Sequence, residues 1–354
     1  MKKIVLTGGG TTGHVSVNLA LIPRLLQDGW EIYYIASENG IERELVKDLD
    51  LTYIPISTGK LRRYLSFENV KDVFRVIKGI FQSIHRIRKI KPDICFSKGG
   101  FVSVPVVIGS FFNRVPVICH ESDLTPGLAN KLSQPFSKMV MVTFPDTVKY
   151  IKNDKGYYIG PVIRDDLKNG NKNRAKEFFG IKNDRPTILV MGGSLGAQGL
   201  NNSIVNNLDL LLRKYNVIHG VGKGNLREDI NKEGYYQIEY IREELKDVLD
   251  LADVVVSRSG SNAIFEFLYY KIPMLLIPLP MTASRGDQIE NAQSFEENGY
   301  GKMIQQEDLN EKNLLETIDY LYENRYIYKE NMSSFVFNDA VDLIYDKIKE
   351  YKKK

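Results

Sequence analysis

One pattern governs this chain. Short β-branched runs alternate with segments of helical period, and the series starts twice, each time as strand, glycine-rich turn and helix. In the first half the pattern predicts strands at 3–7, 31–36, 52–56, 93–97, 115–120 and 139–143. Helices are predicted at 15–27, 41–47, 67–90 and 127–132. The second half repeats it, with strands at 187–191, 217–219, 237–241, 254–257 and 274–277. Its helices are predicted at 200–214, 243–251, 262–270 and 288–298. Apolar strands alternating with helices imply parallel sheets covered on both faces. Two such series in 354 residues imply two doubly wound α/β domains. The boundary falls at Gly160-Pro161-Val162-Ile163-Arg164, giving domains 1–163 and 164–337, with a polar segment at 165–184. Helices at 310–323 and 338–351 close the chain, and Asp308 with Glu311 reads as a capping pair for the first of them.

Composition removes several classes. The most apolar stretches, 101–112 and 272–281, fall short of the roughly 20 residues a transmembrane helix needs. The N-terminal apolar run is too short for a signal peptide. Cys95 and Cys119 lie in apolar runs and read as buried reduced thiols. With four histidines and no Cys/His cluster, no zinc site is expected. The net charge of +4 is too mild for a nucleic-acid binder. By position it is uneven: residues 1–163 hold 22 basic and 14 acidic side chains, whereas 164–354 hold 26 and 30.

Residues 60–91 alone carry ten basic and two acidic side chains. Val70, Val73, Phe74, Ile77, Phe81 and Ile84 recur there at the spacing of one helix face. The stripe is expected to be mostly core, with the basic face approaching anionic lipid headgroups beside Phe111 and Phe112.

Glycine turns follow four predicted strands. The first is Gly8-Gly9-Gly10-Thr11-Thr12-Gly13-His14, and its glycines at 8, 10 and 13 match the G-x-G-x-x-G dinucleotide spacing. Glu38 stands near the end of the second strand, where a ribose carboxylate would be. The others are Lys98-Gly99-Gly100, Gly192-Gly193-Ser194-Leu195-Gly196 and Arg258-Ser259-Gly260-Ser261-Asn262. Such turns admit close approach of a ligand, and the helix amides behind them attract anions. No Gly-Lys-Ser/Thr follows any of them, so none is a P-loop. Two domains with such turns are expected to face each other across a cleft, with a nucleotide-diphosphate donor on one wall and a phosphate-bearing acceptor on the other.

Seven motifs in order resemble the MurG family of bacterial glycosyltransferases over nearly the whole chain. They are GGGTTGH at 8–14, KGGFVSVP at 98–105, HESDLTPGLANK at 120–131 and GPVIR at 160–164. GGSLGAQ at 192–198, ADVVVSRSGSNAIFE at 252–266 and GDQIENA at 286–292 complete the series. The resemblance implies a GT-B fold whose last helix, about 338–354, crosses back to the first domain. It implies an inverting, metal-independent transfer that uses no cofactor. The donor is UDP-GlcNAc, and the acceptor is the muramyl 4-hydroxyl of undecaprenyl-diphosphate-linked muramyl-pentapeptide, lipid I, which becomes lipid II in peptidoglycan synthesis. The place of action it implies is the cytoplasmic face of the cell membrane, held peripherally.

Carried over by position, Thr11, Thr12 and Gly13 face the transferred sugar and acceptor diphosphate. Arg164 and Ser194 contact the donor nucleotide and its phosphates, and the Ile241 backbone reads uracil. Ser261, Asn262 and Ala263 present amides to the diphosphate, Glu266 holds the ribose and Gln288 bonds the GlcNAc hydroxyls. The chain departs from the family with Thr12 for a common glycine, Asp123 for asparagine, Ala263 for a hydroxyl residue and Asp287-Gln288 for two glutamines. Asp123 remains a candidate sugar contact.

An inverting transfer needs a base for the acceptor hydroxyl. His14 is the first candidate, since the ordinary histidine pKa, about 6.5, suits the task. Glu121 and Asp123 are alternatives, and His120 reads as a strand buttress. Competing readings are a UDP-GlcNAc 2-epimerase-like enzyme, an NAD-dependent oxidoreductase using residues 8–13, and a nucleotide-sugar sensor without catalysis.

Overall fold

A computed structural model describes residues 2–59, 67–193 and 197–353, with backbone alone for 67–70. Ser194 and the basic residues Lys60, Arg62, Arg63 and Lys354 lie outside the described residues, as does the Val70 side chain. The chain divides into two compact units, residues 1–164 with 338–354, and residues 165–337.

The first unit holds a sheet of seven strands: β1 (Lys2–Thr7), β2 (Trp30–Ser37), β3 (Thr52–Ile56), β4 (Ile94–Ser97), β5 (Val117–Glu121), β6 (Met139–Val142) and β7 (Gly156–Tyr158). Their order is β3-β2-β1-β4-β5-β6-β7, with every pair parallel. Side chains alternate across a strand, so both faces must be covered. Ile4 and Leu6 point into one core with the helix Ser16–Gln27, while Val5 joins Cys95, Val117 and Cys119 in the other. Both cysteines are buried and free, and burial pushes their thiols up to about 12.

The last helix, Ala340–Tyr351, belongs to this unit. Its Ile344, Tyr345 and Ile348 enter the first core, and the Tyr345 hydroxyl donates to the Asp28 carboxylate.

The second unit repeats the logic with β8 (Thr187–Met191), β9 (Asn216–Gly220), β10 (Tyr235–Ile238), β11 (Val254–Ser257), β12 (Met274–Leu276) and β13 (Gly301–Met303). The order is β10-β9-β8-β11-β12-β13, again all parallel.

Several expectations are corrected. β7 and β13 are three-residue edge strands that carry too little pattern to see. The apolar run at 101–112 contains a helix, Val104–Phe112, buried over most of its length, because Pro105 is tolerated in a first turn. The polar segment after the boundary folds as the helix Lys172–Phe179. Asn171 caps it, and Arg174 holds both carboxylate oxygens of buried Asp247 at 2.9 and 2.8 Å. The helix expected at 200–214 breaks at Asn207, whose side chain donates back to the Ser203 carbonyl at 2.8 Å. The helix Arg325–Ser333 has no counterpart among the expected elements. The cap of Glu311–Glu323 is a reciprocal Asn310–Asn313 box, not Asp308 with Glu311.

The largest correction concerns the helix Phe67–Ile90. Its apolar stripe is not core: Phe74 and Phe81 are each 68% exposed, and Val73 and Ile77 are exposed too. The face turned to the protein is small and mixed, with Asp72, Gly79, Ser83, Ile87 and Ile90. A Cβ on Gly79 would lie 2.1 Å from the Ser57 carbonyl, and one on Gly109 would lie 2.6 Å from Ser83 Cβ. Backbones approach so closely there that large side chains are turned outward.

Candidate active site

In an open parallel sheet, ligands gather at the carboxyl ends of strands where the strand order reverses. In the first unit that point lies between β1 and β4, and in the second between β8 and β11. All four glycine turns found in the sequence follow these four strands.

The turn after β1 is held from below. The Tyr34 hydroxyl donates to the Gly8 carbonyl at 2.8 Å, and Asn18 Nδ2 donates to the Thr7 carbonyl at 3.1 Å. Gly8 has φ +152° and a Cβ there would meet the His14 carbonyl at 2.4 Å, so this position needs glycine. Thr11 is extended and Thr12–His14 form one 3-10 turn before the first helix. Thr11 and Thr12 are exposed, while Gly13 and His14 are half-buried. His14 Nδ1 lies 2.9 Å from Thr11 Oγ1, and its ring packs on Gly100, where a Cβ would lie 3.2 Å away. The four sequence candidates of this turn therefore stand together.

The loop after β5 has Glu121 at its root. Glu121 is 5% exposed. Its Oε1 accepts from the Asp123 amide at 3.0 Å, and its Oε2 accepts from the Gly127 amide at 2.8 Å and Asn130 Nδ2 at 2.9 Å. Burial, with Asp123 beside it, raises its pKa. This is the bonding of a loop clamp, and Asp123, half-buried, rides on the loop it shapes.

Beneath that loop is a residue that sequence reasoning passes over as a catalytic feature. Lys98 is 1% exposed and donates from Nζ to Ser122 Oγ at 2.8 Å. Burial pushes its ammonium down to about 8, against the pull of Glu121 and Asp123. His120 is buried, and desolvation together with the Lys98 charge holds it well below the ordinary range, as a buttress rather than an acid or base.

Glu38 does not reach the turn. It is exposed, and Glu42 makes the contact instead, with Oε2 accepting from the Gly10 amide at 3.1 Å. A carboxylate four residues later on a short helix, Ile41–Val46, has no local sequence signal that marks it.

In the second unit, Gly192 folds against Ala197, where a Cβ would lie 2.7 Å from the Ala197 Cβ, and Gly193 takes φ +90°. After β11, Gly260 starts the helix Ser261–Tyr269 without a side-chain cap at the N-cap position, and the first helical amides face the anion-attracting end of the helix. Ser261 is buried; Asn262, Ala263 and Glu266 are half-buried. Ser259 Oγ donates to the Gln288 carbonyl at 2.7 Å, which ties this helix start to the helix Asp287–Glu297. The Gln288 side-chain oxygen accepts from the Leu279 amide at 3.1 Å. Ile241 lies beyond β10, not within the expected strand, and is half-buried. Arg164 is half-buried at the last position of the first unit's main segment.

Arg258 anchors the far side. Its Nη1 donates to the Ile277 and Pro278 carbonyls, both at 2.9 Å, and Nη2 donates to Gln306 Oε1. Among the described residues, no group of three or more His, Cys, Asp or Glu is arranged to hold a metal ion.

Comparison with known proteins agrees with this geometry. The chain matches the glycosyltransferase family 28 N-terminal domain over residues 4–142 and the family 28 C-terminal domain over residues 187–345. It is 52% identical over 351 residues, 99% of this chain and 98% of the other, to a Clostridium tetani (strain Massachusetts / E88) protein. That protein is named UDP-N-acetylglucosamine--N-acetylmuramyl-(pentapeptide) pyrophosphoryl-undecaprenol N-acetylglucosamine transferase. A Geobacillus kaustophilus (strain HTA426) protein of the same name is 50% identical, with 97% of each chain covered. The crystal structure of Acinetobacter baumannii MurG superposes with a TM-score of 0.78 at 23% identity, covering 99% of this chain and 100% of that one. A UDP-GlcNAc 2-epimerase from Neisseria meningitidis superposes with 0.66 at 15% identity, covering 99% and 100%, a likeness of fold alone. Two parallel-sheet domains of GT-B type, glycine turns at both switch points and matches to both family domains lead to one conclusion: the chain belongs to glycosyltransferase family 28.

Proposed function

We propose that this glycosyltransferase moves N-acetylglucosamine from UDP-GlcNAc to the muramyl 4-hydroxyl of undecaprenyl-diphosphate-linked muramyl-pentapeptide, lipid I, forming lipid II with inversion. The observation that carries this reading is the 52% identity, across 99% of the chain, to a relative named for that transfer. The second unit takes the donor. Glu266 accepts the ribose hydroxyls, the amides of Ser261, Asn262 and Ala263 meet the diphosphate, and the Ile241 backbone reads uracil. Arg164 and Ser194 contact the nucleotide phosphates, and Gln288 donates to the sugar through Nε2. Charge on the departing UDP falls on Ser194 and the amides of these turns, without a metal in the active site.

The first unit supplies the base. With His14 Nδ1–H donating to Thr11 Oγ1, 2.9 Å away, Nε2 carries the lone pair that takes the acceptor proton. Thr12 and Gly13 line the acceptor diphosphate. Glu121 holds the loop bearing Asp123 in place. The test is GlcNAc transfer to a lipid I analogue, with thermal shifts alongside. Transfer unaffected by EDTA, and stabilisation by UDP and UDP-GlcNAc, are expected. Stabilisation by NAD without transfer would sink the reading.

The same reading places the protein peripherally on the anionic, cytoplasmic face of the membrane. Among the described residues no helix is long and apolar enough to cross a membrane. The exposed stripe Val73, Phe74, Ile77 and Phe81 stands among the exposed cations Lys71, Arg75 and Lys78, and Phe111 and Phe112 are 49% and 63% exposed. Burying one such side chain is worth about 1.5–3 kcal/mol, so a lipid interface recovers energy the fold leaves unused. Binding to vesicles containing anionic lipid should weaken as salt rises. Equal binding to neutral and anionic vesicles would refute the membrane reading.

A further inference from the structure

We propose that Glu42 is a positioning residue for the transfer, a buried brace that sets the pose of the turn carrying Thr11 and His14. The proposal rests on the transferase reading above. Glu42 is 0% exposed although it sits in the first turn of a six-residue helix. Both its oxygens are engaged. Oε2 accepts from the Gly10 amide at 3.1 Å, and Oε1 accepts from the Ser37 amide at 3.2 Å and from the Ser37 hydroxyl. The carboxylate, 32 residues from Gly10 in sequence, thus joins the glycine turn after β1 to the end of β2.

The surrounding glycines are shaped to this group. A Cβ on Gly9 would lie 2.5 Å from Glu42 Cδ, and one on Gly40 would lie 2.2 Å from Oε1. Gly10 has φ +86°, and a Cβ there would strike the Phe101 ring at 2.5 Å. The turn is therefore clamped between a carboxylate and an aromatic ring, with no room for a side chain at Gly9 or Gly10.

The chemistry follows from donor and acceptor counting. A carboxylate accepts at both oxygens and faces two backbone N–H groups here. Glutamine has the same shape but must turn its NH₂ toward either Gly10 or Ser37, donor against donor. The Gly10 amide is committed to Glu42, so it does not serve a ligand phosphate. This is the physical reason that the dinucleotide spelling of residues 8–13 does not make a dinucleotide turn: an acidic group stands behind the amide that would otherwise meet a pyrophosphate.

The experiment compares Glu42→Gln with wild type in three measurements. At saturating substrates kcat should fall at least tenfold, while KM for UDP-GlcNAc and Kd for UDP stay within twofold. Hydrogen exchange should quicken at residues 8–14 and stay unchanged in β1 and β4. Wild-type kcat with unchanged exchange at Gly10 overturns the proposal. If Glu42→Gln does not fold, Ser37→Ala removes one partner and keeps the carboxylate; it should lower kcat about threefold with the same exchange signature. Wild-type behaviour of Ser37→Ala would then show that Glu42 serves folding alone. Absence of transfer by the wild-type protein defeats the transferase reading, and the exchange arm still decides the brace.

Discussion

The turns after β1 and β8 hold the same position in their sheets, yet they are supported by opposite means. Beside the first lie charged groups withdrawn from water: Glu42 and Lys98 are 0% and 1% exposed. Around the second, support comes from neutral groups and carbonyls. At the end of β8, Ser257 Oγ donates to the Met191 carbonyl at 2.8 Å, and in the neighbouring turn after β11 Ser259 reaches Gln288 and Asn291 Nδ2 donates to the Ser259 carbonyl at 3.2 Å. The buried cation Arg258 too bonds carbonyls, those of Ile277 and Pro278. Topology decides where a ligand-binding turn sits. The groups behind it decide whether its amides remain available to an anion or are already committed.

The comparison breaks most sharply at His14 and Glu266, one from each unit. His14→Ala should lower kcat by about 10²–10⁴-fold, the range for loss of a general base, with donor affinity little changed. Glu266→Gln should act the other way. It should weaken UDP binding by about 10–100-fold, as expected for one hydrogen bond to a charged group. Steady-state kinetics with UDP titrations separates the two. Near-wild-type turnover of His14→Ala at saturating acceptor would remove it as the base.

A smaller effect contrasts the buried titrating groups. Lys98 loses its proton near 8 in the folded protein but near 10.4 when unfolded. Between those values the unfolded chain holds more protons, so stability rises with pH, by about 3 kcal/mol at most. His219 is buried between Tyr235 and Asn201, and burial pushes it down to about 4, against about 6.5 unfolded. Its contribution is full above 6.5 and is lost as pH falls toward 4, again about 3 kcal/mol. Trp30, the single tryptophan and 2% exposed, reports on the first unit during urea unfolding. Amide exchange in β9 reports on the second. Lys98→Met should flatten the alkaline rise, and His219→Gln should flatten the acid fall. Unchanged slopes in either variant would mean that its group does not govern that limb.

Much of the candidate site is legible in the sequence because it is local. A strand end, a glycine turn and a helix start are contiguous, so Thr11 to His14 and Ser261 to Glu266 can be placed without a fold. Glu42 and Lys98 are not legible as supports. A carboxylate 32 residues from the amide it holds carries no periodic or motif signal. The exposed stripe on Phe67–Ile90 misleads for a related reason. Spacing reports that apolar residues share a face, not whether that face meets the protein, and close backbone approach at Gly79 and Gly109 decides the matter. Edge strands β7 and β13 escape notice because three residues cannot show alternation.

By itself, the sequence determined the class of fold, the two-fold repetition of strand, glycine turn and helix, and the residues at each turn, since these follow from periodicity and from glycine's freedom of φ. The tertiary structure decided which turns meet at the switch points, which charges lie beneath them and which way the amphipathic helix faces. Those outcomes depend on strand order and on contacts between residues far apart in the chain, which no local spacing encodes.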